Sequence, residues 1–126
     1  MQVVKSSKAP AAAGPYSQAV IAGGLVYVSG QLGVDLDTGE AITDWPKAVK
    51  AAFNYLGELL KASNSDFYAV KKLTVYVTDI SKFSIVNDEC AKRFDAPYPA
   101  RSCVEVSALP KGSLIELECI ARAHHV

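Results

Sequence analysis

Cysteine is scarce in this chain and poorly placed for cross-linking. Cys90, Cys103 and Cys119 form an odd, widely spaced set with no CxxC pair. That argues against a disulfide framework and against a zinc site, and reduced thiols in a cytoplasmic protein are the expectation. An excess of either charge is also missing. Thirteen Lys and Arg balance thirteen Asp and Glu. No basic run stands out, so nucleic acid is not an expected partner. No apolar run is long enough for a membrane span, and no signal peptide is visible. The opening MQVVKSSKAPAAAGPY lacks arginine and makes a poor transit peptide. GxGxxG, the Walker loop, GxSxG and HExxH are absent. Nucleotide cofactors, zinc and a serine triad are therefore not expected, and no cofactor or metal is.

What is present is an ordinary globular composition. The 126 residues are 50% hydrophobic and 21% charged, enough for one domain over 1–126 with its own core. No repeat, low-complexity segment or linker divides it. Gln18 to Gln31 reads as a hairpin, with two β-rich runs flanking Gly23-Gly24. Asp35 to Glu40 is a turn. A helix is expected from about Pro46 to Ala62, its stripe being Val49, Ala52, Phe53, Leu56, Leu59 and Leu60. Thr43 or Asp44 would cap it. Val70 to Asp79 reads as a strand. A second helix is expected from about Ser81 to Phe94, capped by Ser81 and striped by Phe83, Val86, Cys90 and Phe94. Pro97-Tyr98-Pro99 stops it. Two further strands, about Arg101 to Ser107 and Ser113 to Ala123, are joined by ALPKG.

This order gives an α+β domain, two helices packed on one face of a mixed sheet. Runs such as LVYV and LIELECIA are apolar on both faces. Two helices cover one face only, so further copies of the same chain are expected to cover the other.

The candidate chemistry is sparse, and each candidate has a structural reading beside the functional one. Arg101, Cys103 and Glu105 share one face of what reads as a buried strand. Arginine there needs an anion, either a structural carboxylate or a ligand held by two parallel hydrogen bonds. Glu116 lies with Glu118 among apolar neighbours. It is either a proton-handling carboxylate of raised pKa or, structurally, a partner for Arg101 or a solvated strand end. Cys103 has no histidine near it in sequence and reads as a small buried thiol, as do Cys90 and Cys119. Adjacent His124 and His125 point to different sides and read as surface residues. Tyr16 in the GPY turn, Ser29 before Gly30, and Asn87 on the second helix would either line a pocket or serve the structure.

The segments APAAAGPYSQAV, VYVSGQLGVD, VKKLTVYVTDISKFSIVND and YPARSCVEVSALPKGSLIELECIA, in this order, resemble the YjgF/RidA family of reactive intermediate deaminases. The likeness runs nearly the whole chain. It implies a chorismate-mutase-like α+β fold and a homotrimer with clefts at the subunit interfaces. It also implies hydrolysis of enamine and imine intermediates, such as 2-iminobutanoate and 2-iminopropanoate, to 2-oxo acids and ammonia without metal or cofactor. By position, Arg101 matches the clamp for the substrate carboxylate. Glu116 matches the residue that orients or activates water. Cys103 matches a position whose backbone meets the ligand. Tyr16, Ser29 and Asn87 match cleft-lining positions, some of them from the neighbouring subunit. Cys90 and Arg93 stand where the family usually has aromatics, and Trp45-Pro46 is unusual, so the cleft rim is where departures are expected. Endoribonuclease or translation-inhibitor activity, often attached to this family, is one alternative. A non-catalytic binding module for small carboxylates is the other.

Overall fold

The Gly23-Gly24 turn is the simplest place to see sequence become structure. Both glycines adopt positive φ, 59° and 78°, which suits the right-handed twist of a two-residue hairpin turn. They join β2 (Ala19–Ala22) to β3 (Leu25–Leu32) in antiparallel register, Ala22 opposite Leu25. The computed structural model describes residues 1–124, and His125 lies outside the described residues.

Asp44 is the cap of α1 (Trp45–Ala62). Its side chain accepts from the Lys47 N–H at 3.0 Å, and Pro46 occupies the first turn. All six stripe residues of this helix are at most 1% exposed. At roughly 1.5–3 kcal/mol for each large side chain removed from water, this stripe anchors the helix more than helix propensity does.

The remaining elements are β1 (Gln2–Val4), β4 (Val70–Val77), α2 (Phe83–Arg93), β5 (Ala100–Glu105) and β6 (Ile115–Arg122). β1, which the sequence analysis did not identify, pairs with β2 at the sheet edge. Sheet order is β1-β2-β3-β6-β4-β5. Among the described residues, only β4 and β5 run parallel. That pairing needs a crossover, and α2 supplies it. β6, last in sequence, inserts between β3 and β4, antiparallel to both.

Three expectations are corrected. Ser81 does not cap α2. It belongs to a 3-10 turn (Ile80–Lys82) capped by Asp79, and Lys82 precedes α2 without a side-chain cap. Phe83 is exposed, so the buried stripe of α2 begins at Val86. The strand carrying Arg101 is not buried in the single chain. β5 is the edge strand, with Cys103 its one half-buried residue.

Alternation along β6 divides the sheet. Ile115, Leu117, Cys119 and Ala121 are buried towards the helices, and Glu116, Glu118 and Ile120 face the other way. No helix of the described residues covers that second face. It carries Tyr27 and Val104 at 41% and 44% exposure.

Candidate functional site

Arg101 and Glu116 stand on opposite sides of the sheet. Arg101 is in register with Leu73, and Cys103 with Val75, so both side chains take the helix side of β5. There the Arg101 Nη1 donates to Asn87 Oδ1 at 2.6 Å and lies 3.8 Å from Cys90 Sγ. Asn87 and Cys90 are three apart on α2 and therefore neighbours on its surface. Among the described residues no carboxylate is in ion-pair range of Arg101. Within one chain Arg101 therefore has no salt-bridge partner among the described residues, and Glu116 lies across the sheet from it. Glu105, on the same face, instead accepts from the Ile80 N–H at 2.9 Å.

Amide ligation leaves the guanidinium with its full positive charge. Asn87 fixes one nitrogen and is itself neutral, so the group is oriented without being neutralised. An anion with two oxygens in a plane is what such a fork recognises.

Glu116 occupies the other face, opposite Leu32 and Tyr76 in the ladder. β3 bulges between Val28 and Gln31, and Gly30 sits in that bulge. A Cβ at Gly30 would meet the Glu116 carboxyl carbon at 2.6 Å. The glycine is thus the notch that seats this carboxylate. Burial pushes the Glu116 carboxyl above the ordinary glutamate range, and the charge of Glu118 pushes in the same direction. Glu118 accepts a hydrogen bond from the Tyr76 hydroxyl, which with burial raises the phenol's own pKa.

Tyr16, Ser29 and Glu118 line one hollow of about 430 Å³ on this face. The Ser29 hydroxyl donates to the Ser17 carbonyl at 2.6 Å, and the Tyr16 hydroxyl accepts from the Ala13 N–H at 3.2 Å. The sequence-predicted residues therefore fall into two groups. Asn87, Arg101 and Cys103 lie on the helix side of the edge strand, and Tyr16, Ser29 and Glu116 lie on the open face.

The thiols are poor nucleophiles here. Burial raises Cys90 and Cys103 despite the opposing pull of Arg101, and raises Cys119 to about 12. Cys90 packs against the core, as expected, and also lines a cavity beside Arg101. Its spacing from Asn87 was the available signal. Arg93 turns away from this group. It bonds Glu89 and Asn54, each at 2.7 Å, and lies 5.8 and 5.7 Å from the ring centroids of Phe53 and Phe67. It ties α2 to α1 rather than forming a cleft rim. His124 meets Asp66 at 3.0 Å. Among the described residues no group of three His, Cys, Asp or Glu is placed to hold a metal ion.

The chain is similar along nearly its whole length to known proteins. The model of the family described as Endoribonuclease L-PSP matches residues 6–123. A bovine protein named 2-iminobutanoate/2-iminopropanoate deaminase is 45% identical over 121 residues, covering 95% of this chain and 88% of the relative. The crystal structure of RidA from an Antarctic Psychrobacter superposes with a TM-score of 0.92 at 39% identity, covering 97% of this chain and 99% of that one. Escherichia coli TdcF, crystallised with bound serine, gives a TM-score of 0.89 at 32% identity, covering 97% of this chain and 98% of that one. This chain belongs to the endoribonuclease L-PSP family, the YjgF/RidA proteins.

Proposed function

We propose that the protein is a deaminase that hydrolyses 2-imino acids and their enamine tautomers, 2-iminobutanoate and 2-iminopropanoate among them, to 2-oxo acids and ammonia. The observation that carries this reading is a charged arginine oriented by Asn87 with no carboxylate among the described residues in ion-pair range of it. The bovine relative's name and the serine held by TdcF point to the same class, small molecules with a carboxylate beside a nitrogen-bearing carbon.

The chemistry asks little of the protein. Arg101 holds the carboxylate through two N–H groups left free by Asn87. With the imine nitrogen protonated, its carbon is electrophilic. Water adds there while Glu116, its pKa moved towards neutrality, takes the water's proton. That proton passes to nitrogen, Glu116 takes the carbinolamine O–H proton as the C–N bond breaks, and ammonia leaves behind a carbonyl, carrying off as ammonium the proton that activated the imine. Imine and water give 2-oxo acid and ammonia, so the balance closes without a cofactor. Positioning supplies most of the advantage. Cys103 contributes backbone, its thiol being protonated at neutral pH. Tyr16 and Ser29 line the cleft on the Glu116 side.

Opposed half-sites need more than one copy. We place the complete cleft between subunits of a homotrimer, Arg101 and Asn87 coming from one copy and Glu116, Tyr16 and Ser29 from its neighbour. The open sheet face, with its exposed Tyr27 and Val104, is the surface such an assembly covers. Three free thiols suit a cytoplasmic setting.

The test uses imines made in situ by an amino-acid oxidase and trapped with semicarbazide. The protein is expected to lower the trapped product, and Arg101→Ala to abolish that effect. Mixing Arg101→Ala with Glu116→Gln chains and reassembling them should restore about a quarter of the sites, because random pairing brings native halves together that often. No suppression by assembled wild type sinks the deaminase reading. Tight 2-oxobutanoate binding in that case favours a non-catalytic carboxylate binder. RNA cleavage that disappears in Arg101→Ala favours the endoribonuclease of the family's description.

A further inference from the structure

Residues 5–18 join β1 to β2 without a helix or a strand, and a connection of that length needs its own means of holding shape. One side chain supplies it. Gln18, 5% exposed, ends the connection directly before β2. Its Oε1 accepts from the Ser6 N–H at 2.8 Å. Its Nε2 donates to the carbonyls of Ser6 at 3.0 Å, Ala9 at 3.3 Å and Pro10 at 2.8 Å. Only the amide nitrogen can meet carbonyls and only the amide oxygen can meet an N–H, so these partners fix which way the amide points. Pro10 and Gln18 are thereby stapled together. Residues 11–17 form a loop whose neck is that amide, and residues 11–16, Tyr16 among them, are exposed.

We infer that Gln18 is a positioning residue for the Glu116 side of the cleft, setting through the loop neck where the Tyr16 hydroxyl stands. The inference rests on the deaminase reading. Inside the loop, the Tyr16 N–H donates to the Gly14 carbonyl at 2.8 Å, and the Ala13 N–H donates to the Tyr16 hydroxyl oxygen at 3.2 Å. Those bonds fix the loop's internal shape. Its placement on the sheet comes from its two ends. At one end Ser29 donates its N–H to the Gln18 carbonyl at 2.9 Å and its hydroxyl to the Ser17 carbonyl at 2.6 Å. At the other end the Gln18 side chain holds Pro10. Without that amide the Ser17 end stays bound and the Pro10 end comes free, so closing the loop again carries an entropic cost. Donor and acceptor roles follow from the same bonds. Ala13 occupies the phenol oxygen, which leaves the Tyr16 O–H to donate to a bound molecule. Ser29 commits its proton to Ser17, which leaves its oxygen to accept. A substrate over Glu116 therefore meets a donor and an acceptor at set positions, and a displacement of about 1 Å there costs on the order of a hundredfold in rate.

The experiment is a double-mutant cycle on the assembled protein with Gln18→Ala, Tyr16→Phe and the pair, read as kcat/KM for 2-iminobutanoate made by an amino-acid oxidase. Gln18→Ala is expected to lower kcat/KM about ten- to a hundredfold. Added to Tyr16→Phe it should lower it by no more than about twofold further, because the hydroxyl it positions is already gone. Gln18→Met keeps the volume without the hydrogen bonds and carries the cycle if the alanine variant does not fold. Ser65→Ala is the control. It removes a side-chain bond to the Arg122 carbonyl, at the end of β6 far from Glu116, and should lower the melting temperature with kcat/KM unchanged. Hydrogen exchange gives a second reading. The Ser6 and Ala13 amides should exchange about tenfold faster in the Gln18 variant, with those of β2 and β3 unaltered. Effects that multiply across the cycle, a kcat/KM equal to wild type, or unchanged exchange at Ser6 and Ala13 overturn the positioning role. If the wild type turns over no imine, the deaminase reading fails by itself. Dissociation constants of 2-oxobutanoate, measured by calorimetry, then carry the same cycle, and multiplied effects or no binding overturn the inference.

Discussion

Leu117 and Glu116 are neighbours on one strand and belong to different worlds. Leu117 is wholly buried between sheet and helices. Glu116 points the other way, half-buried, over a glycine notch and beside a second carboxylate. The helix-covered face is continuous hydrocarbon under α1, and its role is stability. The open face carries Glu116, Glu118, Tyr76 and Thr74, groups that a core excludes unless they are paired. Along β6 one alternation therefore separates a packing residue from the proposed proton carrier, whereas the edge strand β5 puts Arg101 on the helix side. The two sides should respond to mutation in different currencies.

The largest effect is expected at Glu116. Replacing it with Gln should lower kcat/KM by about 10²–10⁴ and leave the fold intact. Its stability effect has a defined sign. Because the folded pKa is raised, the group's contribution to stability is full below the ordinary glutamate value of 4.5 and is lost as pH rises through the folded value. The variant should therefore melt no lower than wild type at pH 7, and the difference should vanish near pH 4. A variant that melts well below wild type at pH 7 would contradict the comparison.

Leu117→Ala is the counterpart and should cost about 2–5 kcal/mol of unfolding free energy. Denaturant titration measures it, and per folded molecule the turnover should stay near wild type. A smaller effect is expected from Gly30→Ala. The added methyl displaces the Glu116 side chain rather than backbone, so kcat/KM should fall about ten- to a hundredfold with an unchanged melting curve. A melting curve that collapsed instead would show that the notch serves the sheet. Asp44→Ala removes the side-chain acceptor at the start of α1 and should cost about 1 kcal/mol, with no change in kcat/KM. The smallest response belongs to Cys119, whose thiol is held near 12. It should resist alkylation at pH 8 in the folded protein and react at once in denaturant. Modification of the native protein at the rate of a free thiol would sink that expectation.

Much of the fold was legible because its signals are local. The α1 stripe, the paired glycines and the period-2 alternation of β6 each act within one element. β1 escaped because three residues carry no periodicity. The Ser81 expectation failed because Asp79, two residues earlier, accepts from both the N–H and the hydroxyl of Ser81 and so starts a 3-10 turn ahead of the helix. The site was harder to read. Arg101 and Glu116 stood out as charges in apolar runs, but sequence does not say which side of a sheet an edge strand shows to its helix. Register with β4 decides that, and register is set by long-range pairing. The cavity beside Cys90 was not legible because the pattern that marks a helix's buried stripe also marks a residue facing a cavity.

Separation of Arg101 and Glu116 across one sheet also turns the amount of protein into a control. On the proposed assembly, a lone folded chain owns every functional group and can complete no cleft. Activity then climbs more steeply than in proportion to concentration until the copies have found one another, and dilution silences the protein long before heat unfolds it. On that assembly a freshly synthesised chain would be inert by geometry, and its chemistry would begin only when enough of its own kind had accumulated to meet.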